Sequence, residues 1–149
     1  MNPLMQIAIA STLMLISQVA SADEVLGQAP SIGGYSPVSY FTENKAELGS
    51  AEYAVEHDGR TYHLTSSEQV ALFNANPGKY RPRHPFCSYS LAQGMTLPLD
   101  PTNFKVIDDS LLLFHKSEEK DALLEWNNSE RSEEELLRRA DSNLFLVEF

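Results

Sequence analysis

The residue types with the clearest chemical potential lie around the single cysteine. Cys87 follows His84 by three positions, Met95 lies shortly after it, and His63 occurs in a segment with strand character. Thiolate, imidazole and thioether groups together suit copper, so Cys87, His84 and His63 are candidate metal ligands with copper as the candidate cofactor. The spacing does not force these side chains to converge, and the identity of any cofactor stays open.

Cys87 has three interpretations, of which burial in the core is favoured. It lies between Phe86 and Tyr89, and cysteine is among the most frequently buried residue types. A functional thiol would be activated by the nearby Arg83 and His84 and by the start of a helix, which would suit redox chemistry. In an oxidising compartment the unpaired thiol could also join two copies of the chain through a disulfide.

Lys79, Arg81 and Arg83 form the one basic run in an acidic chain. The run also contains Pro82 and Pro85, which places it in a loop. Such a loop could receive an anion or the acidic surface of a partner. Ion pairs with the acidic C-terminal part of the same chain are the favoured alternative, because such pairs are common on protein surfaces.

No catalytic residues are predicted from the sequence. It contains neither Gly-x-Ser-x-Gly nor a phosphate-binding loop, and neither His-Glu-x-x-His nor Cys-x-x-Cys. Pairs of carboxylates occur only in strongly charged segments with the character of exposed helix turns. We therefore expect a protein that binds rather than an enzyme.

Composition limits the possible partners. The chain has 149 residues, with 11 Lys and Arg against 21 Asp and Glu, and a formal net charge of −10. Nucleic-acid binding draws most of its affinity from basic side chains, so a nucleic-acid partner is not expected. A single cysteine excludes an internal disulfide and a zinc site built from several thiolates. The expected partner is an unidentified small ligand or protein.

Residues 1–22 are typical of a secretory signal peptide. The segment 4–19 is apolar or small apart from two glutamines, and the small residues at 19–22 suit a leader peptidase. The apolar core is short for a membrane span, so cleavage is favoured and no span is expected after it. Because the first residues lack Lys and Arg, an uncleaved N-terminal anchor is the alternative. The mature protein is expected in the periplasm or outside the cell, with a flexible lead-in at 23–34.

Two β-hairpins are predicted from turn residues between alternating apolar segments. Asp58-Gly59 is a strong two-residue turn, and counting outward pairs residue 57 with 60, 55 with 62 and 53 with 64. The apolar face of this hairpin would consist of Tyr53, Val55, Tyr62 and Leu64. A second hairpin at 104–107 and 110–114 would turn at Asp108-Asp109, with one face formed by Phe104, Val106, Leu111 and Leu113.

Helix starts are predicted at four serine caps, Ser36, Ser66, Ser117 and Ser132. Gln69 and Glu135 would complete capping boxes for the second and fourth of these helices, and a further short helix is predicted at 87–93. The last two helices would bury Ala122, Leu123, Trp126, Leu136, Leu137, Ala140 and Leu144. The result is an α+β fold, with two small antiparallel hairpins and short helices at 35–115 and an acidic helical tail at 116–149 packing on them.

Four blocks of this sequence resemble the YHS domain, a family named for Tyr, His and Ser. They are PVSYF at 37–41, HDGRTY at 57–62, YHLTS at 62–66 with FNANPGKY at 73–80, and RPRHPFC at 81–87 with AQG at 92–94. The last block looks like the exported, single-domain branch of the family. The blocks follow the family's order and cover about 35–115, most of the mature chain.

This resemblance implies a non-catalytic protein. In family members that belong to copper-transporting ATPases, cysteines lie at positions that correspond here to Ser39, Thr65 and Gln69. Hydroxyl and amide groups are poor ligands for copper(I) or zinc, so that metal site is expected to be lost. The expected function is an exported YHS-domain protein that binds a small ligand, a metal or a protein partner. The alternative is a periplasmic copper-handling or thiol-redox protein that uses Cys87 and His84.

Overall fold

The structure, a computed structural model, describes residues 29–147, so the predicted signal peptide and the lead-in up to residue 28 lie outside the described residues. The predicted α+β class is confirmed by two antiparallel hairpins, β1 (Ser50–His57) with β2 (Arg60–Leu64) and β3 (Asp100–Ile107) with β4 (Ser110–Phe114). A 3-10 turn at Ser31–Gly34 precedes six helices: α1 (Ser39–Thr42), α2 (Ser67–Ala75), α3 (Pro77–Tyr80), α4 (Ser88–Ala92), α5 (Ala122–Asn127) and α6 (Glu133–Val147). Within the described range, no helix has the length and apolar character needed to cross a membrane.

The first hairpin turns at Asp58-Gly59 with the predicted register near the turn. Farther out, the predicted pairing of residue 53 with 64 is wrong, because a bulge places residue 50 opposite 64. The cause lies in the chain that enters β1, where the N–H of Gly49 donates to the carbonyl of Gly34 at 2.9 Å. A Cβ at Gly49 would lie 2.3 Å from the carbonyl oxygen of His63, so this close approach requires glycine.

The second hairpin has the predicted two-residue turn. Asp108 and Asp109 have φ of 46° and 58°, the left-handed pair that a type I′ turn requires. The predicted face of this hairpin packs around the buried ring of Tyr40. The opposite face of β4 is buried as well, because Leu112 and Phe114 belong to a second core cluster. β4 is therefore covered on both faces and lies at the centre of the fold.

Two of the four predicted serine caps are confirmed. The N–H of Gln69 donates to Ser66 Oγ at 3.2 Å, and the N–H of Glu135 donates to Ser132 Oγ at 3.2 Å. The Gln69 side chain does not return to Ser66 as a capping box requires, but turns into the protein interior. The predicted helix at 87–93 corresponds to the shorter α4.

The other two caps are wrong. Helix α5 begins after Asp121, whose carboxylate accepts from two N–H groups at 3.2 Å each, while residues 117–120 form a separate turn. Ser36 accepts from the N–H of Val38 at 3.3 Å, but α1 begins only after Val38. In both cases a tight turn occupies the residues after the serine and delays the helix.

The C-terminal helix α6 packs firmly on α4. Leu136 and Ala140 of α6 share a core cluster with Leu91 and Trp126. The Arg139 side chain donates to the carbonyl of Ala92 at 3.0 Å, and Asn143 donates to that of Leu91 at 2.7 Å. These donors add side-chain hydrogen bonds from α6 to carbonyls at the end of α4. The acidic tail is thus held in a fixed position against the loop that precedes α4.

Candidate ligand-binding cleft

His84 is almost fully buried although it lies in the loop between α3 and α4, with 1% of its surface exposed. Its Nδ1 lies 2.8 Å from Ser88 Oγ, and its Nε2 lies 2.9 Å from Asp141 Oδ1. A carboxylate only accepts, so the hydrogen-bond network assigns the proton to Nε2 and lets the Ser88 hydroxyl donate to Nδ1. Burial lowers the pKa of His84, and the hydrogen bond to Asp141 offsets only part of that effect.

Asp141 also receives a two-pronged contact from Arg83. Nε of Arg83 lies 3.0 Å from Oδ1 and a terminal nitrogen lies 2.7 Å from Oδ2, the paired geometry that planar guanidinium groups favour. The hydrogen bond from Arg83 is the main cause of a lowered pKa at Asp141, and the bond from His84 adds to it. One carboxylate of α6 therefore fixes two consecutive side chains of the loop.

Ser88, His84 and Asp141 stand in the order of a hydrolase triad, which the sequence analysis did not detect. Ser88 is fully buried in the first turn of α4, where no substrate can reach its hydroxyl. A catalytic serine needs an accessible oxygen and donors for the developing oxyanion. This group of residues consequently positions α6 against the loop.

The structure does not gather the proposed metal ligands. Cys87 has no exposed surface and packs in the cluster of Leu91, Trp126 and Ala140, which is the buried-core interpretation. His63 alternates along β2 with buried residues, so its side chain lies on the opposite face of the strand. Among residues 29–147, no three His, Cys, Asp or Glu side chains are placed to hold a metal ion together.

The basic run is paired with acidic groups of the same chain. Lys79 lies 3.6 Å from Asp109, Arg81 lies 2.6 Å from Asp58, and Arg83 is bound to Asp141 as described. Only the last of these partners belongs to the C-terminal tail; the other two lie in the hairpin turns. The three basic residues border a shared hollow of about 210 Å³.

A larger cleft of about 380 Å³ lies on the other side of this loop. One wall is formed by the basic residues Arg60, Arg81 and Arg83 together with His84, whose side chain is itself buried. The apolar part of the lining includes Ile32, Tyr62, Leu99 and Leu144, which come from four separate segments, and two prolines of the loop. The 3-10 turn, β2, the chain before β3 and helix α6 therefore all contribute to one site.

Arg60 was not identified as a site residue by sequence reasoning. It is exposed at the start of β2, and no described acidic side chain pairs with its guanidinium. In the sequence, the one signal for a role of Arg60 in the site is its position directly after the Asp58-Gly59 turn. The structure shows that the Arg81–Asp58 ion pair joins the basic loop to this turn. With Arg81 and Arg83 already paired, Arg60 supplies the unpaired positive charge of the cleft.

Ile32 shapes the opposite edge of the cleft through an unusual backbone. Its φ is 58°, and Gly33 and Gly34 follow with φ of 59° and 83°. A β-branched residue in the left-handed region costs on the order of 1–3 kcal/mol, and such strain is typical of functional sites. The strained turn places Ile32 in the lining of the cleft together with Tyr62 and Leu99.

Ser39, Thr65 and Gln69, the positions that the YHS resemblance equates with cysteines, come together in the structure. The Gln69 amide nitrogen donates to Ser39 Oγ at 2.9 Å, and its oxygen accepts from the N–H of Thr65 at 3.0 Å and from the hydroxyl of Ser36 at 2.6 Å. Ser36, Ser39 and Gln69 are buried, so the group is a closed polar network.

Comparisons of the chain with protein-family models, curated proteins and solved structures found no match.

Proposed function

We propose that this chain is an exported, non-catalytic YHS-domain binding protein that binds a small anionic ligand in the cleft between β2, the loop 81–85 and α6. The observation that carries the proposal is that three arginines, Arg60, Arg81 and Arg83, line one cleft of a chain with net charge −10. The acidic remainder of the chain repels anions, and the basic wall offers complementary charge.

The size and lining of the cleft support this proposal. Its volume of about 380 Å³ lies in the range of about 300–1,000 Å³ that is usual for small-molecule sites. Such sites combine apolar surface with a few fixed polar groups. Arg83 is held by Asp141 and Arg81 by Asp58, so the wall is ordered before a ligand arrives.

The family assignment is supported by the order of the four sequence blocks and by the polar network around Gln69. Ser39, Thr65 and Gln69 are hydrogen-bonded neighbours, as positions that hold one metal in relatives would have to be. Export is proposed from residues 1–22.

No observation favours the alternative of a copper-handling or thiol-redox protein. Cys87 is buried among apolar side chains, and both ring nitrogens of His84 already have partners. Copper would have to displace Ser88 or Asp141 to reach an imidazole nitrogen, and redox chemistry would require the opening of the core around Cys87.

Chemical-shift mapping tests the proposed function. The full chain, labelled with ¹⁵N, is titrated with inorganic phosphate, citrate and hexanoate, and with hexylammonium as a cationic control. We expect saturable shifts of the amides of residues 60–62, 81, 83 and 84 with at least one of the anions, and none with the cation. The proposal is contradicted if no anion produces saturable shifts there, or if hexylammonium produces the same ones.

A further inference from the structure

The paired and unpaired charges of the cleft indicate what kind of anion it accepts. We infer that the ligand is a monocarboxylate with a short apolar body, whose carboxylate binds Arg60 and whose body lies against Ile32, Leu99 and Leu144. This inference rests on the proposed function and makes its ligand class specific.

The charge balance favours a single negative charge. Three arginines line the cleft, and two of them are paired with Asp58 and Asp141. The Nε2–H of His84 already donates to Asp141, and its Nδ1 accepts from Ser88, so His84 offers no free donor. One positive charge is left for a ligand, and this balance matches a monoanion better than a phosphate dianion.

Arg60 is suited to hold a carboxylate. Its guanidinium presents several N–H groups in one plane, and two of them can donate in parallel to the two oxygens of a carboxylate. Because no described acidic group competes for it, binding requires no rearrangement of an existing ion pair.

The apolar lining indicates what must follow the carboxylate. Ile32, Leu99 and Leu144 line the cleft together with the ring of Tyr62. Covering these groups with an aliphatic or aromatic body removes apolar surface from water on both sides, which favours binding. A bare anion such as acetate would leave this surface exposed to water.

Isothermal titration of the full chain with four probes tests the inference: hexanoate, acetate, hexanamide and inorganic phosphate. We expect hexanoate to bind at least about tenfold more tightly than acetate and than hexanamide, which has the same body without charge. Arg60→Gln should abolish the preference for hexanoate over hexanamide. Arg131→Gln makes the same charge change outside the cleft, where Arg131 pairs with Glu135, and should preserve the preference.

Several results would overturn the inference. Equal affinity for hexanoate and acetate would exclude a role for the apolar lining, and equal affinity for hexanoate and hexanamide would exclude a role for Arg60. Tighter binding of phosphate than of hexanoate would contradict the single-charge argument but leave an anion-binding protein standing. If none of the three anions binds, the proposed function fails as well. Equal effects of Arg60→Gln and Arg131→Gln would show that the preference for hexanoate over hexanamide depends on the net charge of the protein and not on Arg60.

Discussion

His84 and Asp141 are 57 residues apart in the chain, yet the imidazole Nε2 of the first lies 2.9 Å from a carboxylate oxygen of the second. The same carboxylate binds the guanidinium of Arg83 through both of its oxygens. One helical turn farther along α6, Leu144 lines the cleft. Helix α6 therefore contributes Leu144 to the candidate site through the same packing that binds the acidic tail to the loop.

Two substitutions at Asp141 separate the contribution of the buried imidazole from that of the ion pair. Asp141→Ala should lower the free energy of unfolding by about 1–3 kcal/mol, because the buried Nε2–H of His84 loses its acceptor. Asp141→Asn keeps an acceptor oxygen and loses mainly a partly exposed ion pair, so it should cost less than about 1 kcal/mol. Urea unfolding measures both values. Equal losses in the two variants would show that the imidazole contact contributes nothing.

The stability of the protein should decrease in mildly acidic solution. Burial holds the pKa of His84 below its ordinary value of 6.5 in the folded state, so the unfolded chain binds more protons once the pH falls below 6.5. Asp141, whose pKa is lowered chiefly by Arg83, adds a second loss as the pH falls below 3.8.

Urea midpoints recorded from about pH 8 to about pH 3 measure this dependence. His84→Gln should remove the loss that begins near 6.5 and retain the loss in strong acid. A variant that keeps the wild-type slope in the upper range would show that His84 is not its source.

Features set by neighbouring residues could be predicted from the sequence. The turn at Asp108-Asp109 and the caps at Ser66 and Ser132 depend on local backbone geometry and on hydrogen bonds within one helical turn. The apolar faces of both hairpins followed from the alternation of side chains along a strand.

Features set by distant residues could not be predicted. The bulge in the first hairpin arises where Gly49 crosses His63, and nothing in the local pattern of β1 indicates that crossing. The role of Asp141 depends on where α6 docks, and Arg60 lines the cleft beside a loop that is distant from it in the chain. The basic run was visible in the sequence, but its partners were not.

The thiol of Cys87 should be protected in the native protein. It has no exposed surface, so a disulfide reagent such as Ellman's reagent can reach it only after local or global opening. Modification of the native chain should be slower than that of the urea-unfolded chain by more than about a hundredfold. Because Cys87 is the single cysteine, the signal is unambiguous. Similar rates in the two states would contradict the burial of the thiol and would favour the thiol-redox alternative.

The proposed membership of the YHS family predicts that three cysteines can create a metal site. A variant with Ser39→Cys, Thr65→Cys and Gln69→Cys places three thiols at positions that are hydrogen-bonded neighbours in the native structure. We expect it to bind Cd(II), with the ultraviolet absorption of cadmium–thiolate bonds, since soft metals prefer thiolates. The parent chain, with Cys87 alone, is the control. A folded triple variant with no more absorption than the parent would contradict the alignment of these positions with the family's cysteines.

A crystal structure of the full chain grown with hexanoate tests the central claim most directly. The account predicts a carboxylate within hydrogen-bond distance of the Arg60 guanidinium, with the aliphatic chain against Ile32 and Leu144 and with the Arg83–Asp141 pair intact. Hexanoate bound elsewhere on the protein, or a cleft that contains only water at saturating hexanoate, would contradict it.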